Sequence, residues 1–240
     1  FLMGSPASET DRTSDEQQHR VQITRAYYLG TTEVTQGQWE GVMGTTPWKG
    51  KTYVKEGSDY AASYVSWDDA VEFCRRLSAK DDRTIQLPTE AEWEKAARGG
   101  APGTRFPWTG VNTIQHTRAN YRAATGSDAY DTSAQDGYHP DYDDGPFPYT
   151  SPVGTFAPNG YGLYDMAGNL WEWCEDVYVN SYEGTPTDGS AQTSGGSNRV
   201  RRGGSWGNSA RDVRSARRGG GHPSLALDIL GFRVCLGRSR

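Results

Sequence analysis

Six aspartates fall within residues 128–144, at Asp128, Asp131, Asp136, Asp141, Asp143 and Asp144, with no Lys or Arg between them. Like charges this dense repel unless water solvates them or a hard cation bridges them through carboxylate and carbonyl oxygens. A second pattern, Asp165-Met-Ala-Gly168-Asn-Leu170-Trp-Glu172, holds two carboxylates seven residues apart about a glycine able to turn tightly. Both patterns admit calcium, and a solvated loop is the alternative.

Other chemistry finds less support. The histidines (His19, His116, His139, His222) stand apart, with no H-x-x-x-H or H-E-x-x-H spacing. No local motif therefore serves zinc or non-haem iron, while a site gathered from distant residues stays open. Residues 203–207 spell Gly-Gly-Ser-Trp-Gly, the letters of a nucleophile elbow. That elbow needs an acid and then a histidine downstream; here His222 precedes Asp228, so the match is chance. Cys74, Cys174 and Cys235 are too few for a disulfide scaffold and show no C-x-x-C pair. Trp171 and Trp173, alternating about Glu172, read as core rather than as ligand platforms. Ten arginines against two aspartates in residues 199–240 suggest either nucleic acid or internal ion pairs. Trp206 and Phe232 offer the stacking faces there, too few for a nucleic-acid partner, and internal pairing is expected.

Three capped helices must position these groups. Thr35 with Gln38, Ser66 with Asp69 and Thr89 with Glu92 form capping boxes. Gly44 stops the first helix and Gly99-Gly100 the third, while Trp67, Ala70, Val71, Cys74 and Leu77 give the second an apolar stripe. Strands are expected at Val21–Ile23, Tyr27–Leu29, Arg199–Arg202 and Phe232–Leu236, and no periodicity appears between Gly99 and Gly160. Leu, Ile, Val and Phe are only 33 of 240 residues, whereas Trp and Tyr add 22. Aromatic rings must therefore build much of the core. With 42 Gly and Pro, no internal repeat and no linker, residues 1–240 read as one α+β domain with little regular structure. No apolar run approaches the ~18 residues of a membrane span. The chain opens at Phe1, so a signal peptide or upstream domain is not visible and the compartment stays open.

Eight motifs occur in order: Phe1-Leu-Met-Gly-Ser5, Thr32-Glu-Val-Thr35, Val65-Ser-Trp-Asp-Asp-Ala70, Leu87-Pro-Thr-Glu-Ala-Glu-Trp93, Asn159-Gly-Tyr-Gly-Leu-Tyr164, Gly168-Asn-Leu-Trp-Glu-Trp173, Arg202-Gly-Gly-Ser-Trp206 and Gly231-Phe-Arg233. Together they resemble the formylglycine-generating enzyme (sulfatase-modifying factor) family from end to end. The resemblance implies a compact, irregular variant of the C-type lectin fold with bound calcium. One ion would take the side chains of Asp165 and Glu172 and the carbonyls of Gly168 and Leu170. A second would take Asn120, the carbonyl of Tyr121 and Asp144, with a further carbonyl from Pro146 or Phe147 and Asp143 as the substitute acid.

The family's oxidases hold copper(I) through two cysteines shortly after Gly-Gly-Ser, since a soft ion needs thiolates. Residues 205–218 contain no cysteine, so no copper is expected. The histidine-bearing helical domain of the sulfoxide-forming branch is also absent from residues 1–240. A third branch serves as binding modules, some on bacterial surfaces and some diversified by retroelements within a fixed R-G-G-S-W…G-F-R frame. The resulting expectation is a calcium-stabilised, non-catalytic module for an unidentified protein or small anionic ligand, exported or at the cell surface. The alternative is an oxidoreductase of the same superfamily with non-cysteine ligands. By resemblance the ligand face follows Gly-Gly-Ser-Trp, and its candidate residues are Ser205, Trp206, Asn208, Ser209, Asp212, Arg217 and His222. Catalytic members can join a helix cysteine at the Cys74 position to one in the last strand. Here Cys235 falls one residue late, facing the opposite side of a strand, so Cys74 and Cys235 are expected to be reduced and buried.

Overall fold

The computed structural model describes residues 1–145 and 147–237. In chain order it contains β1 (Leu2–Met3), β2 (His19–Arg20), β3 (Tyr28–Leu29), α1 (Gln36–Met43), α2 (Trp67–Asp81), β4 (Ile85–Gln86), α3 (Glu90–Ala97), a 3-10 turn (Pro140–Tyr142), β5 (Trp171–Val177), β6 (Arg199–Arg202), β7 (Arg218–Gly221), β8 (Leu230–Gly231) and β9 (Cys235–Leu236). All three α-helices begin in the expected capping boxes, each with the Ser or Thr hydroxyl on the third backbone N–H and the third side chain reaching back. α3 ends at Ala97, and Gly99 and Gly100 follow in left-handed conformations.

The strands form three small sheets: β1-β2, β3-β9-β4 and β7-β6-β5-β8, in which only β5 and β8 run parallel. One expected strand does not form and another is cut short. Val21–Ile23 is not a strand: Val21 N–H bonds to Phe1, Gln22 and Thr24 N–H bond to Thr187 and Asp188, and the ladder stops at Arg20. Phe232–Leu236 forms a ladder only at Cys235–Leu236; before it, the Phe232 and Val234 carbonyls accept single bonds from Val34 and Gly30 N–H, and Arg233 reaches inward to Glu172. β5 was not foreseen as a strand. It is buried on both faces, so it shows none of the alternation that marks a half-exposed strand.

Aromatic rings do supply the main core. Trp39 stacks on Phe73 at 5.6 Å, Phe73 meets Phe232 edge-on at 5.2 Å, and Trp48, Trp171 and Trp173 pack beside them. The clustered arginines pair inside the domain: Arg202 with Glu90 and Glu94, Arg218 with Glu90, Arg214 with Glu9 and Glu16, and Arg233 with Glu172. No helix among the described residues is long and apolar enough to cross a membrane.

Candidate functional site

The segment Asp165–Glu172 enters β5 through three left-handed residues, Asp165, Gly168 and Asn169. Gly168 has no alternative, since a Cβ there would stand 2.2 Å from the Asn120 carbonyl oxygen. Asn169 then pins the turn. Its N–H donates to the Asn120 carbonyl, its side-chain amide donates to Glu33, and its Oδ1 accepts from Ser151 N–H at 2.9 Å.

Three buried carboxylates meet here. Glu172 accepts from Arg233 through both oxygens at 2.6 Å and from the Trp93 indole at 2.7 Å. Asp165 accepts Gly154 N–H at 2.7 Å through Oδ2, while its Oδ1 is buried with no partner. Burial, together with the neighbouring Asp165 and Glu172 carboxylates, holds the Glu33 carboxyl well above its ordinary range. Burial likewise pushes Asp165 up to about 6. Negative charge exceeds the single Arg233 guanidinium, and an orphaned carboxylate oxygen faces that excess. Among the described residues no group of three His, Cys, Asp or Glu side chains is placed to hold a metal ion. What points to a hard cation is the orphaned Asp165 oxygen, with Glu172 retaining lone pairs beyond its bonds to Arg233 and Trp93.

The residues expected to hold a second ion are only partly brought together. Asn120 and Tyr121 are buried, but the Asn120 amide donates to Tyr149 and the Tyr121 carbonyl is met by His116 Nε2 at 3.2 Å. Asp144 is exposed and lies 3.5 Å from Lys55. Asp143 instead presents a buried, unpartnered Oδ1 beside the bridge that closes the loop at Pro148. Phe147 is exposed against Tyr53, and Pro146 lies outside the described residues. Elsewhere in the acidic loop the turns answer part of the charge: Asp131 accepts from Tyr121, Ser133 and Ala124, and Asp136 from Thr125, while Asp128 Oδ2 is buried without a partner.

The residues after Gly-Gly-Ser-Trp form a succession of tight turns. Ser205 is buried and donates to Asn208 Oδ1, which also takes the Trp171 indole N–H at 2.7 Å. Trp206 stacks on Tyr53 at 5.7 Å and packs against Tyr138, and its indole nitrogen is buried without a partner. Asp212 pairs with Arg217 at 3.0 Å, and Arg217 reaches Thr13. Ser209 lies half-buried between these turns, while His222 is exposed beyond β7 and bonds to Ser224. Tyr53, Tyr138, Phe147 and Arg122, the last over the Tyr138 ring at 5.7 Å, were missed from sequence because distant loops deliver them with no local motif. Arg201 could have been found from the alternation in β6, where Val200 and Arg202 point inward and Arg199 and Arg201 do not.

All three cysteines are buried free thiols. Burial pushes Cys74 up to about 12 and holds Cys174 well above the usual thiol range, so neither offers the thiolate that binds a soft metal.

Comparison with known proteins agrees with the end-to-end motif order. The family described as "Sulfatase-modifying factor enzyme 1-like domain" matches residues 1–237. "Inactive C-alpha-formylglycine-generating enzyme 2" from Bos taurus is 34% identical over 236 residues, covering 96% of this chain and 66% of that protein. "Formylglycine-generating enzyme" from Thermomonospora curvata is 37% identical over 132 residues, 55% of this chain and 38% of that one. The chain thus spans less than two thirds of these relatives. Among solved structures, PvdO from Pseudomonas aeruginosa superimposes with TM-score 0.82 at 30% identity, covering 99% of this chain and 90% of PvdO. Treponema denticola variable protein 1 does so with TM-score 0.76 at 30% identity, covering 98% and 91%.

Proposed function

This chain belongs to the sulfatase-modifying factor enzyme 1-like family, and from that membership we propose that it is a calcium-stabilised binding module rather than an oxidase. The observation that carries the reading is the segment 202–218, which keeps the family's Arg-Gly-Gly-Ser-Trp frame and has no cysteine. Within that segment Asn208 takes the Trp171 indole N–H, and Asp212 pairs with Arg217. A relative named inactive and a structural neighbour named a variable protein support the same reading. An exported or cell-surface setting belongs to this proposal.

Calcium would be held by Asp165 and Glu172 through their side chains and by Gly168 and Leu170 through their carbonyls. Its chemistry here is structural, cancelling buried negative charge at the entrance to β5. A second ion would use Asn120, Tyr121 and either Asp143 or Asp144, and the buried orphan oxygen favours Asp143. The binding surface itself would be the Tyr53, Tyr138 and Phe147 rings, backed by the buried Trp206, with the turns that follow it.

The test is oxygen consumption with a cysteine-containing sulfatase peptide, alongside elemental analysis of the purified protein. Calcium without copper, and no turnover, is the expected result. Stoichiometric copper with oxidation of the peptide would replace this reading by the enzyme one.

A further inference from the structure

Arg201 stands on β6 opposite Gly219 of β7 and lies over the Trp171 ring, with its guanidinium carbon 5.0 Å from the ring centre. Gly219 makes the room. A Cβ there would come within 3.0 Å of Arg201 Cγ and Nε and 3.3 Å of the Trp171 ring. Most arginines of this region are matched by carboxylates, but Arg201 is not. Its Nε is buried without a hydrogen-bond partner, and among the described residues no ion pair reaches it. Burial and the nearby Arg217 guanidinium pull Arg201 below the usual guanidinium range, and Asp212 offsets this only in part. Asp212 is already taken by Arg217 at 3.0 Å. Two guanidiniums and one carboxylate leave one positive charge uncancelled.

We propose that Arg201, with Arg217 beside it, forms a binding site for a carboxylate. A guanidinium lying on an indole keeps its edge free for a planar, bidentate partner, and carboxylate has that geometry. One uncancelled charge matches a monoanion, whereas a phosphate dianion would set a second negative charge against Asp212. Trp171 ties the site to the turn after Gly-Gly-Ser-Trp, since its indole donates to Asn208. The site gives the ligand class of the binding surface proposed above and rests on that reading. The carboxylate can come from a polypeptide or from a small organic acid.

The Trp171 indole N–H resonance reports on the site without depending on Arg201. In the whole protein it is followed during titration with sodium acetate, with sodium chloride at matched ionic strength, and with a short peptide carrying a free or an amidated C-terminus. A saturable shift with acetate and the free-acid peptide is expected, with none from chloride or the amide. Arg201→Gln should weaken that binding at least about tenfold, and Arg201→Lys, which keeps the charge without the planar fork, should weaken it less. Tighter binding of the free-acid peptide than of acetate assigns the site to a polypeptide; equal affinity assigns it to a small acid. A response identical in chloride, or undiminished in both variants, overturns the proposal and leaves the binding-module reading standing. Turnover of the cysteine peptide would overturn that reading while leaving the anion titration unchanged.

Discussion

Arg214 has no exposed side-chain surface, and its guanidinium closes on Glu16 through both nitrogens and on Glu9 through one. Burial alone would raise the Glu16 carboxyl, but the hydrogen bonds and charge of Arg214 hold it below its ordinary value. Removing the cation would strand a buried carboxylate. Arg214→Ala should therefore cost about 3–5 kcal/mol in urea unfolding, and a loss below about 1 kcal/mol would mean that water reaches Glu16. Asp176 is the opposite case. Burial and then the Glu90 charge push its carboxyl up to about 7, against backbone N–H groups of Gln192 and Glu90 that favour the ion. A carboxyl raised in the folded state binds more protons there than in the unfolded chain, so its ionisation destabilises as pH rises from about 4 to 7. Wild type should thus lose about 2–4 kcal/mol relative to Asp176→Asn across that interval. Parallel stability curves for the two proteins would show that Asp176 ionises freely.

At the level of elements, α3 carries Glu90 and Glu94, the acids that receive Arg202 and Arg218. Its start is fixed by Thr89, whose hydroxyl takes the Glu92 N–H at 3.2 Å and donates to the Gly189 carbonyl at 3.0 Å. Thr89→Ala should lose about 1–2 kcal/mol of unfolding free energy, with Thr89→Ser restoring most of it. Equal losses in the Ala and Ser variants would show that packing, not the cap, sets this end. Such starts were legible because a capping box is a local pattern of side chain and backbone. β5 was not legible, because a strand buried on both faces carries no period of two. The carboxylate cluster was half legible. Asp165 and Glu172 announce themselves around Gly168, but Glu33 arrives from far away in sequence and is recognised only when Asn169 bonds to it. Arg201 was legible as an outward position of β6, but not that Gly219 faces it across the ladder and opens the space beside Trp171.

Across the whole molecule, the acidic N-terminal part and the arginine-rich end are halves of one charge pattern, joined by buried pairs from Glu9 through Arg233. That complementarity explains the uneven charge without a nucleic-acid partner. It leaves one region underdetermined. Between α3 and β5 the described residues contain a single 3-10 turn, and this span holds Asn120, Asp143 and Asp165. The unpaired oxygens of Asp143 and Asp165 lie in that span, and Glu33, Asp165 and Glu172 share one guanidinium. An ion bound only by the folded state would stabilise it by about 2.7 kcal/mol at a hundredfold excess over Kd. For a chain of this size that corresponds to a rise in Tm of about 5–10 °C. Adding EGTA should therefore lower the Tm by about that amount, readdition of calcium should restore it, and magnesium, which demands tighter octahedral geometry, should restore less. An unchanged Tm in EGTA, with no calcium found by elemental analysis, would mean that protonation of Glu33 and Asp165 alone resolves the buried charge.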